Sequence, residues 1–319
     1  MHSSRIVPDQ PVGLIRTWAQ LVRLPNLFTA MADSAMGVLF VWSAGSEQLP
    51  MVVGLLMAAS AVLYAAGAAL NDYFDRQTDA QERPHRPIPS GRAEPETVRA
   101  VGLALLALGS GLAWLAGWRA GTIAPGLVSL ALAGLILAYD GSLKRFWIGP
   151  VAMGGCRFLN VLMGMSAAGR WFGPAEWLAA GAVGVYVVGL SWFARQEVQP
   201  ETGQTGRILG SLLMVVGVGL LAGLPATLEP DRLDPLLRRE PVRWYLFTGI
   251  LALWIGLRQL SAVYTPSAQR VQWAVRQGIL SIVFLDAAAV LVLHGLAKAL
   301  VVLVLLIPAS LLSHWVEST

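Results

Sequence analysis

Long apolar runs alternate with short polar stretches along the whole chain. They cover 27–45, 51–71, 98–118, 121–139, 147–168, 175–194, 208–228, 243–262, 278–295 and 297–315. A helical span needs about 20 apolar residues, so most of these runs are long enough to cross a bilayer. The last two are separated only by a short stretch around His294, Gly295 and Lys298, and read either as a tight helical hairpin or as one span followed by an interfacial helix. The pattern predicts an all-α, polytopic transmembrane bundle of nine or ten spans, with residues 1–319 forming a single domain. The alternating segments of about ten residues that mark a transmembrane barrel are missing. Residues 1–26 form a leading segment. Within 12–24, Leu14, Trp18, Leu21 and Val22 share one face, which predicts an amphipathic helix lying at the membrane interface.

Composition narrows the class further. Hydrophobic residues make up 55% of the chain and charged residues 13%, with a mean hydropathy of +0.60. A soluble domain carries about 25% charged residues, so a water-soluble enzyme and a disordered chain are both excluded. The net charge of +4 suggests no nucleic-acid partner, because the basic residues are distributed by topology. If the N-terminus is cytoplasmic, fifteen Lys and Arg fall on the cytoplasmic side, seven fall opposite, and Arg157 lies inside a span. That bias predicts a cytoplasmic N-terminus in an integral protein of a bacterial inner membrane. The stretch Met1–Arg23 has no early apolar core followed by a small-residue site, so no cleaved signal peptide is expected. Cys156 is the only cysteine, which excludes an intrachain disulfide and a cysteine zinc cluster.

The most informative polar stretch follows the second apolar run and reads NDYFDRQTDAQERPHRPIPSGR over 71–92. At about 100° per residue, Asn71, Asp75, Asp79 and Asp72 fall at roughly 0°, 40°, 80° and 100° of one helix, if the helix continues beyond the apolar run. Three carboxylates on one stripe at a membrane edge call for a counter-cation. Hard oxygen donors suit Mg²⁺, which takes one or two carboxylates together with substrate phosphate and water. Arg83, Arg86 and Arg92 follow, and arginine binds phosphate through a planar fork. Pro84, Pro87 and Pro89 predict a stiff, extended path there.

The string Asn71-Asp72-x-x-Asp75-x-x-x-Asp79, followed by Arg83-Pro84-x-Arg86-Pro87-Ile88-x-Ser90-Gly91, resembles the first signature of the UbiA superfamily of intramembrane prenyltransferases. The stretch Tyr139–Arg145, ending Leu143-Lys144-Arg145, is similar to the family's Leu-Lys-Arg turn after the fourth span. The resemblance implies a helical bundle around a central cavity and Mg²⁺-dependent transfer of a prenyl group from a prenyl diphosphate to an aromatic or other lipophilic acceptor. It implies Asn71, Asp72, Asp75 and Asp79 as the Mg²⁺ ligands. Asp72, Asp75, Lys144 and Arg145 would be the catalytic set, with Lys144 and Arg145 neutralising the departing diphosphate. Asn26, Asn71, Arg86, Arg157, Asn160 and Arg195 would contact substrate.

The chain departs from the family where a second acidic motif is expected, after the sixth span. Residues 195–206 contain no aspartate. Glu197 and Glu201 keep an i, i+4 spacing, but Pro200 interrupts any regular helix between them. Three readings follow: the glutamates serve a second cation and the substrate, Arg195 or Arg207 contacts diphosphate directly, or the ionisation chemistry is lost. Together with Arg157-x-Leu159-Asn160 and the extra C-terminal apolar run, this departure resembles a divergent branch of the superfamily that includes the EboC proteins. In that alternative the protein binds a lipid or metabolite and helps to transport or process it without transfer chemistry. Asp33 and Asp286 both lie inside apolar runs, and Asp286 is a candidate partner for the buried Arg157 or points at the cavity.

Overall fold

A computed structural model of the chain describes residues 13–41, 48–195 and 203–317. The regular elements described are all helical. A short helix α1 (Leu14–Leu21) leads into α2 (Leu24–Val41), α3 (Leu49–Glu82), α4 (Pro95–Ala120), α5 (Ala124–Gly141), α6 (Gly149–Met165), α7 (Pro174–Ala194) and α8 (Gln204–Ala222). The chain continues through α9 (Pro235–Arg239), α10 (Val242–Tyr264), α11 (Ala268–Leu303) and α12 (Leu306–Glu317). Prolines open α3, α4, α5, α6 and α7, where the missing N–H has no intrahelical partner to lose.

Among the described residues, nine segments are long and apolar enough to span a membrane. The last runs from Ala268 to Ser313 but is broken at Gly295, and Arg276 Nη2 donates to Ser313 Oγ at 2.5 Å, so the stretch after Gly295 folds back along α11 as the hairpin alternative expects. Gly295, at φ 71° and ψ −173°, breaks the helical path within α11. Only glycine takes that conformation without steric cost, which is why the kink falls at this position.

The helices pack largely in chain order from α2 to α8, then α10 and α11, and α11 returns against α2 to close the ring. α2 also packs directly on α6. That crossing is close because both helices present glycine: a Cβ at Gly37 would collide with the Val161 carbonyl, and one at Gly164 with the Ser34 carbonyl. One apolar core joins residues of α2, α6, α7, α8, α10 and α11, and a second joins α2, α3, α4, α5 and α6.

α1 forms within the amphipathic stretch, with Leu21 and Thr17 turned inward and Leu14 71% exposed. Leu21 and Trp18 join Tyr73 and Ile88 in a small apolar cluster, and docking on α3 sets the helix rotation. Residues 83–94 are not extended. Backbone bonds from Arg86 N to Arg83 O, Ser90 N to Arg86 O and Ala93 N to Pro87 O fold them into consecutive turns, which the fixed φ of proline suits equally well. Gly91, at φ 74°, completes them.

Candidate active site

α3 stays helical past its apolar stretch to Glu82, so the Asn71–Asp79 stripe is one continuous surface. The structure resolves that stripe into two columns, each held by a different cation. Lys144, in a 3₁₀ turn over Leu143–Arg145, places Nζ 2.7 Å from Asp75 Oδ1 and donates to Asn71 Oδ1 at 3.1 Å. Arg86, in the turns after α3, places Nη1 2.7 Å from Asp79 Oδ2 and 3.5 Å from Asp72 Oδ1. Arg23 adds a third cation, 3.6 Å from the same Asp72 oxygen. Three carboxylates thus face three cations, and the mutual repulsion expected of the stripe is cancelled within the chain.

Arg23 occupies the bend between α1 and α2, at φ 50°. A non-glycine residue held there costs on the order of 1 kcal/mol, and its contact with Asp72 is an observation that offsets that cost. Removal from water works against its charge, yet Asp72 and the other acidic groups nearby more than compensate, so the guanidinium is held above its ordinary value. In the sequence Arg23 is a topology charge and the start of Arg23-Leu24-Pro25, which is similar to the family's entry into its first helix, but nothing there gave it a role in the site.

Behind this ionic layer lies a partly open cavity with about 660 Å³ of empty space. Arg23, Asn71, Tyr139 and Asp140 line it near the motif, and Arg157 and Asn160 line it deeper in the bundle. Much of the wall between is apolar, with Leu63, Gly67, Leu132, Ile136 and Met153 contributing.

The deep polar group is fixed before any ligand arrives. Arg157 Nη1 lies 2.8 Å from Asp33 Oδ2, and Nη2 donates to Thr29 Oγ1 at 3.0 Å. Asn160 Nδ2 donates to the same Asp33 oxygen at 3.0 Å and to the Ala30 carbonyl at 2.8 Å. The Arg157 guanidinium also sits 5.2 Å from the Tyr64 ring centre. Asp286 adjoins Asp33 and feels the field of Arg157, but it makes no ion pair of its own among the described residues. Arg157 therefore lines the cavity while paired with Asp33.

The remaining expected residues divide as follows. Asn26 accepts Thr29 Oγ1 on its backbone carbonyl at 2.8 Å and is not among the described residues lining the cavity. Asp72, Asp75, Asp79, Lys144 and Arg86 are not among the described residues lining the cavity; Asp72 adjoins it through its pair with Arg23, and Asp75 through the Lys144 that also bonds Asn71. Arg195 Nη2 donates to the Lys144 carbonyl at 2.8 Å and so braces the lysine turn. Arg145, in the same turn, is exposed. Arg207 is fully buried, with Nε and Nη1 lacking partners among the described residues. Glu197 and Glu201 lie outside the described residues. Asp140 escaped the sequence reading; the signal was an acid at the end of an apolar run, one turn before Lys144.

Among the described residues, no three acidic, histidine or cysteine side chains converge as a ready cation cage. The donor set nevertheless fits Mg²⁺, because that ion takes one or two carboxylates and completes its shell with water and substrate phosphate. Asn71 and Asp75 share one cation partner, so displacing a single lysine frees both oxygens.

Fold and site together define a polytopic membrane protein with an internal cavity capped by a charge-paired acidic motif. The chain belongs to the UbiA prenyltransferase family, whose model matches residues 31–201. It is 32% identical over 188 residues to the digeranylgeranylglyceryl phosphate synthase of Ignicoccus hospitalis, a match spanning 59% of this chain and 59% of that relative. It is also 32% identical over 145 residues to the chloroplastic chlorophyll synthase of Arabidopsis thaliana, spanning 43% of this chain and 35% of the relative. A UbiA homologue from Archaeoglobus fulgidus bound to GPP and Mg²⁺ superposes with a TM-score of 0.61 at 15% identity, covering 90% of this chain and 99% of that one. The apo UbiA homologue from Aeropyrum pernix K1 also gives 0.61, at 20% identity over 82% and 96% of the two chains. At those identities the likeness is one of fold.

Proposed function

We propose that the protein transfers a prenyl group from a prenyl diphosphate to a lipophilic acceptor inside the membrane, with Mg²⁺ as cofactor. The observation that carries this reading is the division of the cavity: Arg23, Asn71 and Asp140 line it near the motif, with the Asp72 and Asp75 ion pairs adjoining them, and an apolar wall makes up much of the rest. Such a site receives a diphosphate at the first and a hydrocarbon chain along the second. The names of the relatives and the bound GPP and Mg²⁺ of the Archaeoglobus fulgidus homologue support the same chemistry.

Asn71, Asp72 and Asp75 would hold the metal, with Asp79 anchoring Arg86 beside them. When bound, Mg²⁺ supplies charge neutralisation on the diphosphate oxygens. Lys144, Arg23 and Arg86 exchange their carboxylate partners for phosphate oxygens and stabilise the negative charge that grows as the carbon–oxygen bond breaks. The apolar wall keeps water from the electron-poor prenyl carbon, and the Arg157–Asp33 pair keeps the floor electrically balanced. The charge bias along the chain supports a cytoplasmic N-terminus, and the proposed location is a bacterial inner membrane.

The test is turnover of labelled geranyl and geranylgeranyl diphosphate by the protein in lipid nanodiscs, with and without Mg²⁺, against aromatic and lipid-alcohol acceptors. Mg²⁺-dependent product supports the proposal. Tight binding of diphosphates with no product from any acceptor overturns it in favour of lipid or metabolite binding and transport, the reading that the aspartate-free stretch 195–206 favours.

A further inference from the structure

One acidic group in the cavity is left unused by the ion pairs. Asp140 ends α5, is 2% exposed and lines the cavity. Its Oδ2 has no hydrogen-bond partner among the described residues. A buried carboxylate oxygen without a partner is costly, and one that lines a cavity calls for an explanation. Lys144 follows one helical turn later, but its ammonium is taken by Asp75 and Asn71, and Arg23 is taken by Asp72. Asp140 therefore stands among these charges: Lys144 and Arg23 attract it, Asp75 and Asp72 repel it, and none of the four is hydrogen-bonded to it.

The other titratable groups on this stretch of wall, Tyr139, Tyr64 and Cys156, are a phenol, a phenol and a thiol, each ordinarily carrying its own proton. Asp33 gives Oδ2 to Arg157 and Asn160, and it is not among the described residues lining the cavity. Asp140 is the one carboxylate among the described lining residues, and its Oδ2 is without a partner. It sits between the ionic mouth and the apolar wall, where the prenyl carbon would be released.

We propose that Asp140 is the proton acceptor of the transfer step, and that the acceptor substrate presents a hydroxyl group to it; this rests on the prenyl-transfer reading above. The bond between the prenyl carbon and the diphosphate oxygen breaks, and its electron pair leaves on the diphosphate. A lone pair of the acceptor hydroxyl forms the new carbon–oxygen bond. The hydroxyl proton passes to Asp140 and from there to water at the motif end. A hydroxyl needs such a base, because an alcohol that attacks without losing its proton forms an unstable oxonium. A positioned base contributes about 10²–10⁴-fold to a step of this kind.

The experiment compares wild type, Asp140→Asn and Asp140→Glu, each full length in nanodiscs, with geranylgeranyl diphosphate and Mg²⁺. The hydroxyl probe is geranylgeranylglyceryl phosphate, and the carbon-nucleophile probe is a dihydroxynaphthoic acid. Asp140→Asn is expected to lose at least 100-fold in transfer to the hydroxyl, to lose the acid limb of the pH–rate profile, and to keep its diphosphate affinity, its Mg²⁺ requirement and its melting temperature. Asp140→Glu restores part of the rate. Retained transfer in Asp140→Asn overturns the proposal. So does a loss accompanied by a raised Mg²⁺ requirement, which makes Asp140 a ligand, or by a fallen melting temperature that Asp140→Glu repairs without a pH effect, which makes it structural. Wild-type transfer to the carbon probe alone overturns the hydroxyl assignment while the prenyl-transfer reading stands. No wild-type transfer to either probe overturns both.

Discussion

Lys144 reaches from the turn after α5 to Asp75 on α3, with its ammonium 2.7 Å from the carboxylate. The same ammonium takes Asn71 at 3.1 Å, so a single flexible side chain covers two of the oxygens that a metal would need. The three carboxylates of the motif are thus balanced by three cations, which the proposed diphosphate would displace. Lysine suits this role, being a compact charge on a flexible stem rather than a rigid fork.

Replacement of Asp75 by Asn is expected to lower Mg²⁺-dependent turnover on the order of 10²-fold, a usual loss when one preorganised electrostatic contact is removed. Shape is kept, and Lys144 retains Asn71, so the melting temperature should stay within a few degrees. Turnover measured across a Mg²⁺ titration, beside a thermal melt, checks both halves; undiminished turnover removes Asp75 from the site.

The deep pair gives a stability prediction. Arg157→Met leaves Asp33 fully buried without its cation, and breaking a buried pair costs about 3–5 kcal/mol. Arg157→Met combined with Asp33→Leu is expected to recover much of that loss, because neither charge then remains uncompensated. Thermal denaturation of both variants in the same detergent measures the difference. Equal melting temperatures for single and double variants contradict the account.

The α2–α6 crossing should tolerate no added volume. Gly164→Val drives a side chain into the backbone of α2 at Ser34 and Val38. Overpacking of this kind costs about 1–3 kcal/mol. Gly111, where an added Cβ meets nothing within 4 Å, is the matched control. A melting temperature that falls for Gly164→Val and holds for Gly111→Ala is the expected result.

The stretch that departs from the family has its own test. Glu197→Gln with Glu201→Gln is expected to raise the Mg²⁺ concentration needed for half-maximal turnover. Arg195→Gln is expected to weaken diphosphate binding at saturating Mg²⁺, since it also unbraces the Lys144 carbonyl. If neither substitution moves binding or turnover, residues 195–206 have no part in the site.

The sequence by itself determined the class. Apolar runs of spanning length admit few structures other than a helical bundle, because lipid leaves every backbone N–H and C=O to be satisfied within its own helix. It also determined that Asn71, Asp72, Asp75 and Asp79 share a surface, since the helical repeat fixes that once α3 continues past its apolar run. Tertiary structure decided everything that depends on partners distant in the chain. That Lys144 covers Asn71 and Asp75 while Arg86 and Arg23 take Asp72 is set by where the turns after α3 and α5 and the bend before α2 come to rest. Whether Arg157 meets Asp33 or Asp286 is set by the close α2–α6 crossing that Gly37 and Gly164 permit. Periodicity could not separate these choices, because charge pairing acts over a few ångströms of space and carries no record of separation along the chain.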